Sequence, residues 1–367
     1  MPHRKHKNVG VIGLGIIGRG VTANLRRKGF SVFVWSRTPR PVPNFVGSPA
    51  ELAPLCDYIQ IYVSDDKALL QTVNQLSEKL AKRHIVIAHS TVAPDSMRAA
   101  AKIVAGRGAR FIEAPFTGSK AAAEKGELVY YVGGDEAALR DARPILEASS
   151  KEIIEIGEVG QATAIKIATN MVTAASVQAT AEALALVQAL GVPPEKFVKA
   201  MQANASYSTT LAMKIPKMIK RDFEPHFSVK HMLKDMQIAN QVGLSLDVDL
   251  GVTAAARDRL LEQMRSGRGD DDYSAVARKY LPETGSTGYE EPQMGEQDEQ
   301  GKASAIAVAV ESFAGAQSTG SGQAESRPTT ALGNETKEAT SLRRGLLMQL
   351  LRRWRQLLKQ PVSPKEG

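Results

Sequence analysis

Cysteine is nearly missing: Cys56 stands alone in 367 residues. Its isolation excludes a disulfide within the chain and any cysteine-built zinc site, and it suits a reducing cytoplasm. The six histidines lack H-x-x-x-H or H-E-x-x-H spacing, so no dedicated metal site is expected. No apolar run reaches the ~18 residues that a membrane span needs. The start, "MPHRKHKNVGVIGLGIIG", has the basic-then-apolar order of a signal peptide, but cleavage near Ala23 would remove a glycine pattern better read as part of the fold. What remains is an ordinary apolar fraction of 43%, in a chain long enough for about two domains.

The net charge of +8 invites a nucleic-acid reading until it is divided. Residues 283–340 carry ten acids and three bases, and 341–359 carry six bases and no acid, which leaves +9 on residues 1–282. A charge so placed suits anionic small molecules at least as well as DNA, and no nucleic-acid partner is expected.

Residues 9–150 alternate short apolar runs ("VGVIGLG", "SVFVWS", "YIQIYVS", "HIVIAHS", "ARFIEAP") with helical patterns. Strands punctuated by helices predict a parallel, doubly wound α/β sheet of the Rossmann type over 1–160. From Gln161 the pattern turns helical: a run of almost thirty residues free of glycine and proline stops at "GVPP", and further helices are predicted at 194–204, 208–220, 228–241 and 250–265. An all-α domain over 161–282 follows. Residues 283–340 are rich in Gly, Ser, Thr, Glu and Gln and are expected to be a disordered linker. Residues 341–360 form a basic amphipathic pattern, with Leu347, Leu350, Leu351, Trp354, Leu357 and Leu358 on one face, suited to an anionic membrane surface, a partner's groove or packing on the chain itself.

The loop Gly13, Leu14, Gly15, Ile16, Ile17, Gly18 is in G-x-G-x-x-G register. The first glycine allows a tight turn, the second close approach of a pyrophosphate, and the third close packing of helix on strand. Because it follows a β-branched run and opens a helix, it predicts a dinucleotide site. NAD enzymes usually present an acid at the end of the second strand; this chain has Ser36, Arg37 and Thr38 there and no carboxylate. An arginine between two hydroxyls suits a 2′-phosphate, so NADP(H) is favoured over NAD(H).

Together, "GVIGLGIIGRGVTANLRRKGFSVFVWSRT", "STVAPDS", "EAPFTGSKAAAEKGELVYYVGGD", "GEVGQATAIKIATNM" and "FSVKHMLKDMQIA" resemble the β-hydroxyacid dehydrogenases of the 3-hydroxyisobutyrate dehydrogenase type, nearest the glyoxylate/succinic semialdehyde reductase branch. The resemblance spans about residues 8–281. It implies that Lys166 is the catalytic lysine, Asn170 its substrate-binding neighbour, and Thr117, Gly118 and Ser119 the loop that holds the substrate carboxylate. It further implies that Val63, Ser64 and Thr91 line the cofactor, and that Lys234, with Asp235 beside it, reaches cofactor and site from the helical domain. Members commonly pair through that domain, so a homo-oligomer is expected. The chain departs from the family at Phe116 and Thr117, where "Val-Ser" is usual, which is expected to narrow the pocket, and at 204–216; both bear on substrate choice.

Reduction of an aldehyde acid needs a proton for the forming alkoxide. A lysine at its ordinary pKa of ~10.4 is poorly matched to neutral pH, but apolar burial and a second cation, Lys234, would bring Lys166 toward ~7 to 8. Cys56, His84 and His89 read as packing residues, because no partner for a triad accompanies them. Two alternatives are an imine reductase, in which the lysine is generally absent, and a catalytically weak NADP-binding scaffold recruited by its C-terminal segment.

Overall fold

The computed structural model describes residues 8–281; the expected linker at 283–340 and amphipathic segment at 341–360 lie outside the described residues. Eight strands and six helices make up residues 8–157. They run β1 Asn8–Ile12, α1 Ile16–Arg27, β2 Ser31–Trp35, α2 Leu52–Leu55 after a 3-10 turn, β3 Tyr58–Ile61, α3 Asp66–Ser77, β4 Ile85–Ala88, α4 Pro94–Ala105, β5 Arg110–Glu113, β6 Phe116–Thr117, α5 Lys120–Lys125, β7 Leu128–Gly134, α6 Glu136–Leu146 and β8 Ser150–Gly157. Every residue of β3 and β4 is buried, as expected of parallel strands covered by helices on both faces.

The sheet order is β2-β1-β3-β4-β5-β7-β6, with β8 beside β7. The first five strands are parallel, but β7 runs antiparallel to β5 and β6, so the sheet is mixed where an all-parallel one was expected. The cause is local: the two-residue β6 and six-residue α5 turn the chain back on itself instead of carrying it across the sheet. The strand order reverses at β1, and the loops after β1, β3, β4 and β5 all leave the same edge. That crevice, at the carboxyl ends of the strands, is where such sheets bind ligands.

The helical half follows: α7 Gln161–Ala189, α8 Pro194–Gln202, α9 Thr209–Lys220, α10 Val229–Ser245, α11 Gly251–Arg265 and a 3-10 helix Tyr273–Lys279. Its core gathers Val177, Leu184, Leu211, Ile215, Met232, Met236 and Leu260. A smaller cluster of Ile167, Ile238 and Ala239 packs with Ala93 of the β4–α4 loop, joining α7 and α10 to the sheet's edge. At the base of this half, Asp272 is fully buried. It accepts both bonds of Lys214 Nζ (2.7 and 2.8 Å), the N–H groups of His226, Phe227 and Ser274, and the Ser274 hydroxyl, so one carboxylate knots α9, the 222–228 loop and the terminal 3-10 helix. Among the described residues no helix is long and apolar enough to cross a membrane.

Candidate active site

The three loop glycines have separate reasons to be glycine. Gly13 sits at φ +97°, and a Cβ there would lie 2.0 Å from the Tyr62 carbonyl oxygen; one on Gly18 would lie 1.9 Å from the Gly13 carbonyl oxygen. Both are demanded by packing. A Cβ on Gly15 would meet nothing within 4 Å, so this position is bare although the fold has no need of bareness. Gly15 is also the N-cap of α1, whose first turn has neither an acidic residue nor a side-chain cap. Unpaired N–H groups beside an open cradle suit a pyrophosphate, and the residues present therefore fit a dinucleotide. Leu14 is buried below the loop, whereas Ile16 is exposed and Ile17 partly buried. A groove of about 400 Å³ beside α1, lined by Ile16, Arg19, Gly20, Ala23, Lys120 and Glu124, adds two cations near that end of the crevice.

Beyond β2, Ser36 is partly buried while Arg37 and Thr38 are exposed, which leaves the guanidinium open to a ligand. After β3, the Val63 N–H donates to Ser90 Oγ (3.1 Å), and Ser64 Oγ donates to Asp65 Oδ2 (2.7 Å). Asp65 caps α3 through Ala68 N–H. The Ser64 bond, the Ala68 bond and the charges of Lys234 and Arg37 hold the Asp65 carboxyl below its usual range. Val63, Ser64 and Thr91 thus all lie in loops at the crevice edge.

Lys166 is the sixth residue of α7. Its ammonium has no hydrogen-bond or ion-pair partner among the described residues. Burial pushes its pKa down to about 8; Asp235 pulls the other way and Lys234 adds to the depression. One turn on, Asn170 Nδ2 donates to Asp235 Oδ2 (2.7 Å). Lys234 Nζ donates to Asp235 Oδ1 (2.6 Å) and to the Thr91 carbonyl. Asp235 is only 1% exposed, and both its oxygens are taken by side chains. Because a carboxylate requires a donor, the Asn170 amide is fixed with its NH2 inward, and its carbonyl oxygen is the free end. The arrangement places a partly neutral amine beside an acceptor, with Lys234 tied to the loop after β4.

Thr117, at the end of β6, and Gly118 are exposed, and Ser119 caps the short α5 through Ala122 N–H. Gly118 adopts φ +133°, and a Cβ there would come within 2.9 Å of Leu128 Cδ2. Thr117 pairs with Val129 of β7, the strand on which α7 packs, so the loop and the helix that carries Lys166 share one neighbouring strand. Phe116 packs against the sheet core, its ring tilted 6.3 Å from Tyr62. Tyr62 in turn stacks on His89 (4.3 Å), whose pKa burial lowers to about 3. His89 Nδ1 donates to the Ala114 carbonyl (2.8 Å), His84 Nε2 to that of Ala53 (2.8 Å), and Cys56 is buried with its thiol pushed up to about 12. All three sit as packing groups. Residue-by-residue reading missed Glu113, a fully buried carboxylate between the site's two halves.

A dinucleotide cradle on one wall of the crevice and an unpaired lysine with a lowered pKa on the other suit an NAD(P)-dependent oxidoreductase. A family profile described as the NAD binding domain of 6-phosphogluconate dehydrogenase matches residues 8–157. One described as the NAD-binding of NADP-dependent 3-hydroxyisobutyrate dehydrogenase matches residues 160–280. Glyoxylate/succinic semialdehyde reductase 1 of Arabidopsis thaliana is 32% identical over 278 residues, covering 73% of this chain and 96% of that protein. Cytokine-like nuclear factor N-PAC of Pongo abelii is 30% identical over 285 residues, covering 75% of this chain but 52% of N-PAC, so the chain spans about half of that relative. The solved structure of Mycobacterium tuberculosis 3-hydroxyisobutyrate dehydrogenase with L-serine has the same fold, with a TM-score of 0.69 at 24% identity, over 75% of this chain and 99% of that one. The chain belongs to the 3-hydroxyisobutyrate dehydrogenase-like β-hydroxyacid dehydrogenase family.

Proposed function

We propose that the protein reduces a short aldehyde acid, such as glyoxylate or succinic semialdehyde, to its hydroxy acid, with Lys166 as proton donor and NADPH preferred to NADH. The observation that carries this reading is the amine itself: partly buried, without a partner, and with a pKa of about 8. A donor with a pKa near the working pH combines a useful protonated fraction with ready release. The nicotinamide, when bound, supplies the hydride. Thr117, with the N–H groups of Gly118 and Ser119, holds the substrate carboxylate, and such fixed donors orient the carbonyl. Asn170 offers its free oxygen to the ammonium or to the product hydroxyl. Gly13, Leu14, Gly15, Ile16, Ile17 and Gly18 cradle the pyrophosphate, Ser36, Arg37 and Thr38 hold the 2′-phosphate, and Val63, Ser64, Thr91 and Lys234 border the nicotinamide side. Asp235 acts on the cofactor side through Lys234, not by touch.

The name of the Arabidopsis relative supports this substrate class. The kinship to N-PAC, named as a nuclear factor, favours the scaffold alternative, yet the unpaired lysine has no purpose in a scaffold. A panel of aldehyde acids, offered with NADPH and with NADH in separate runs and read by oxidation of the nicotinamide, decides. Turnover of a short aldehyde acid with a clear NADPH preference is expected; cofactor binding with no turnover of any member would establish the scaffold reading. A cytoplasmic setting suits the single buried thiol. The outward face of α7 exposes Val172 (68%) and Leu186 (62%), continued by Leu190 (72%) at its C-cap, a surface suited to a second copy. Leu186→Glu should then lower the oligomeric mass measured by sedimentation, and an unchanged mass would remove that face from the interface.

A further inference from the structure

Glu113 is 0% exposed at the end of β5, and it faces the start of α7. Its Oε1 accepts the N–H groups of Gly160 (2.7 Å) and Ala162 (2.9 Å); its Oε2 accepts the Thr163 N–H (3.3 Å) and the Thr163 hydroxyl. The first N–H groups of a helix have no intrahelical partner, and a nearby residue's side chain normally caps them. Here the N-cap is Gly160, in a left-handed conformation at φ +99° with nothing to offer, and the cap arrives from 47 to 50 residues earlier. The space for it is built in. A Cβ on Gly133 would fall 2.8 Å from Glu113 Oε1 and 2.7 Å from the Glu158 carbonyl oxygen, so β7 is glycine where the carboxylate passes.

Two active-site pieces hang from this joint. Thr117 and Ser119 lie four and six residues beyond Glu113 on the same segment, and Lys166 lies three residues beyond Thr163 on the helix that it caps. We propose that Glu113 is the positioning residue that sets the distance between the carboxylate-holding loop and Lys166. The same carboxylate anchors the strand that leads into one and the helix that carries the other, so movement of either is movement against four hydrogen bonds. This role rests on Lys166 being the proton donor.

The test uses the full chain and Glu113→Gln, which keeps the volume but turns an NH2 toward N–H donors. A misplacement of about 1 Å can cost on the order of a hundredfold in rate, so kcat should fall at least about tenfold at a temperature well below unfolding, with the Kd for NADPH within about twofold of the parent. Competitive labelling of lysines with acetic anhydride, read by mass spectrometry across pH, reports Lys166 without needing turnover. The charges that act on Lys166 are Asp235 and Lys234, so the loss of the Glu113 charge is not what its labelling would report. Loosening the first turn admits water to the amine, and its labelling midpoint should move up toward that of an ordinary lysine. Thr163→Ala, which removes one donor of four, should show both effects in weaker form and serves if Glu113→Gln does not fold. Parental kcat in the variant would overturn the proposal, as would a lost kcat with an unmoved labelling midpoint. If the parent itself turns over no aldehyde acid, the substrate reading fails, and the labelling shift alone still judges Glu113.

Discussion

Lys166 and Lys214, both in the helical half, are shielded from water and treated in opposite ways. Lys214 is 2% exposed, bound twice to Asp272 and placed 4.4 Å over the Tyr273 ring. Burial works against the charge of Asp272, but Lys214 and the Ser274 donors outweigh it and hold its carboxyl below the usual range. Lys166 has none of this: Asp235, the acid that acts on it, gives its two oxygens to Asn170 and Lys234. A buried charge with every bond made is a fastening. One left unmade is an unfavourable arrangement for the fold, and the proton-donor role proposed for Lys166 would account for its persistence.

The comparison breaks first at activity. Lys166→Ala should reduce turnover by about 10²–10⁴-fold, the usual worth of a placed acid, with NADPH binding nearly intact; parental turnover would end the assignment. In the parent, kcat for reduction should decline as pH rises through about 8, where the ammonium loses its proton. Lys214→Ala should leave chemistry per folded molecule unchanged while lowering stability in urea by about 3–5 kcal/mol, because Asp272 would then be buried without its counter-charge. A cost near zero would mean that Asp272 is satisfied by its N–H and hydroxyl donors alone.

The smallest effect is the most telling. The lowered pKa of Lys166 means that the folded state holds fewer protons than the unfolded chain between about 8 and 10.5, so stability rises with pH across that window and the penalty is fully present below it. Lys166→Met should therefore stabilise the protein by about 1 kcal/mol or more at pH 7, with the gain fading toward the ordinary lysine pKa of about 10.4. Destabilisation at pH 7 would show that the amine is a structural group after all.

Much of this was legible in the sequence, for physical reasons that differ by element. The helices α8, α9 and α11 begin and end within a few residues of expectation, because proline, serine and glycine punctuate amphipathic periods there. The spacing of Lys166 and Asn170 put them on one face, and the glycine loop fixed the crevice. The antiparallel turn at β6 and β7 was hidden, since a two-residue strand carries no period. Glu113 was hidden as well: its partners, three backbone N–H groups and the Thr163 hydroxyl, lie nearly fifty residues away, and an acid before "AP" looks like any loop acid. In "DDDY" three adjacent aspartates look alike, and only the fold separates exposed Asp270 from buried Asp272.

The glycine loop keeps its own ledger of obligations. Gly13 and Gly18 are owed to the architecture, since a methyl on either would strike a carbonyl oxygen, whereas nothing in the polypeptide asks for Gly15, the position proposed to face the pyrophosphate. An alanine at position 15 would therefore meet no obstacle in the empty protein and would declare itself only when the dinucleotide arrived. That separates two demands within six residues: two positions kept bare for the chain to close upon itself, and one whose bareness, on the proposed reading, serves a guest.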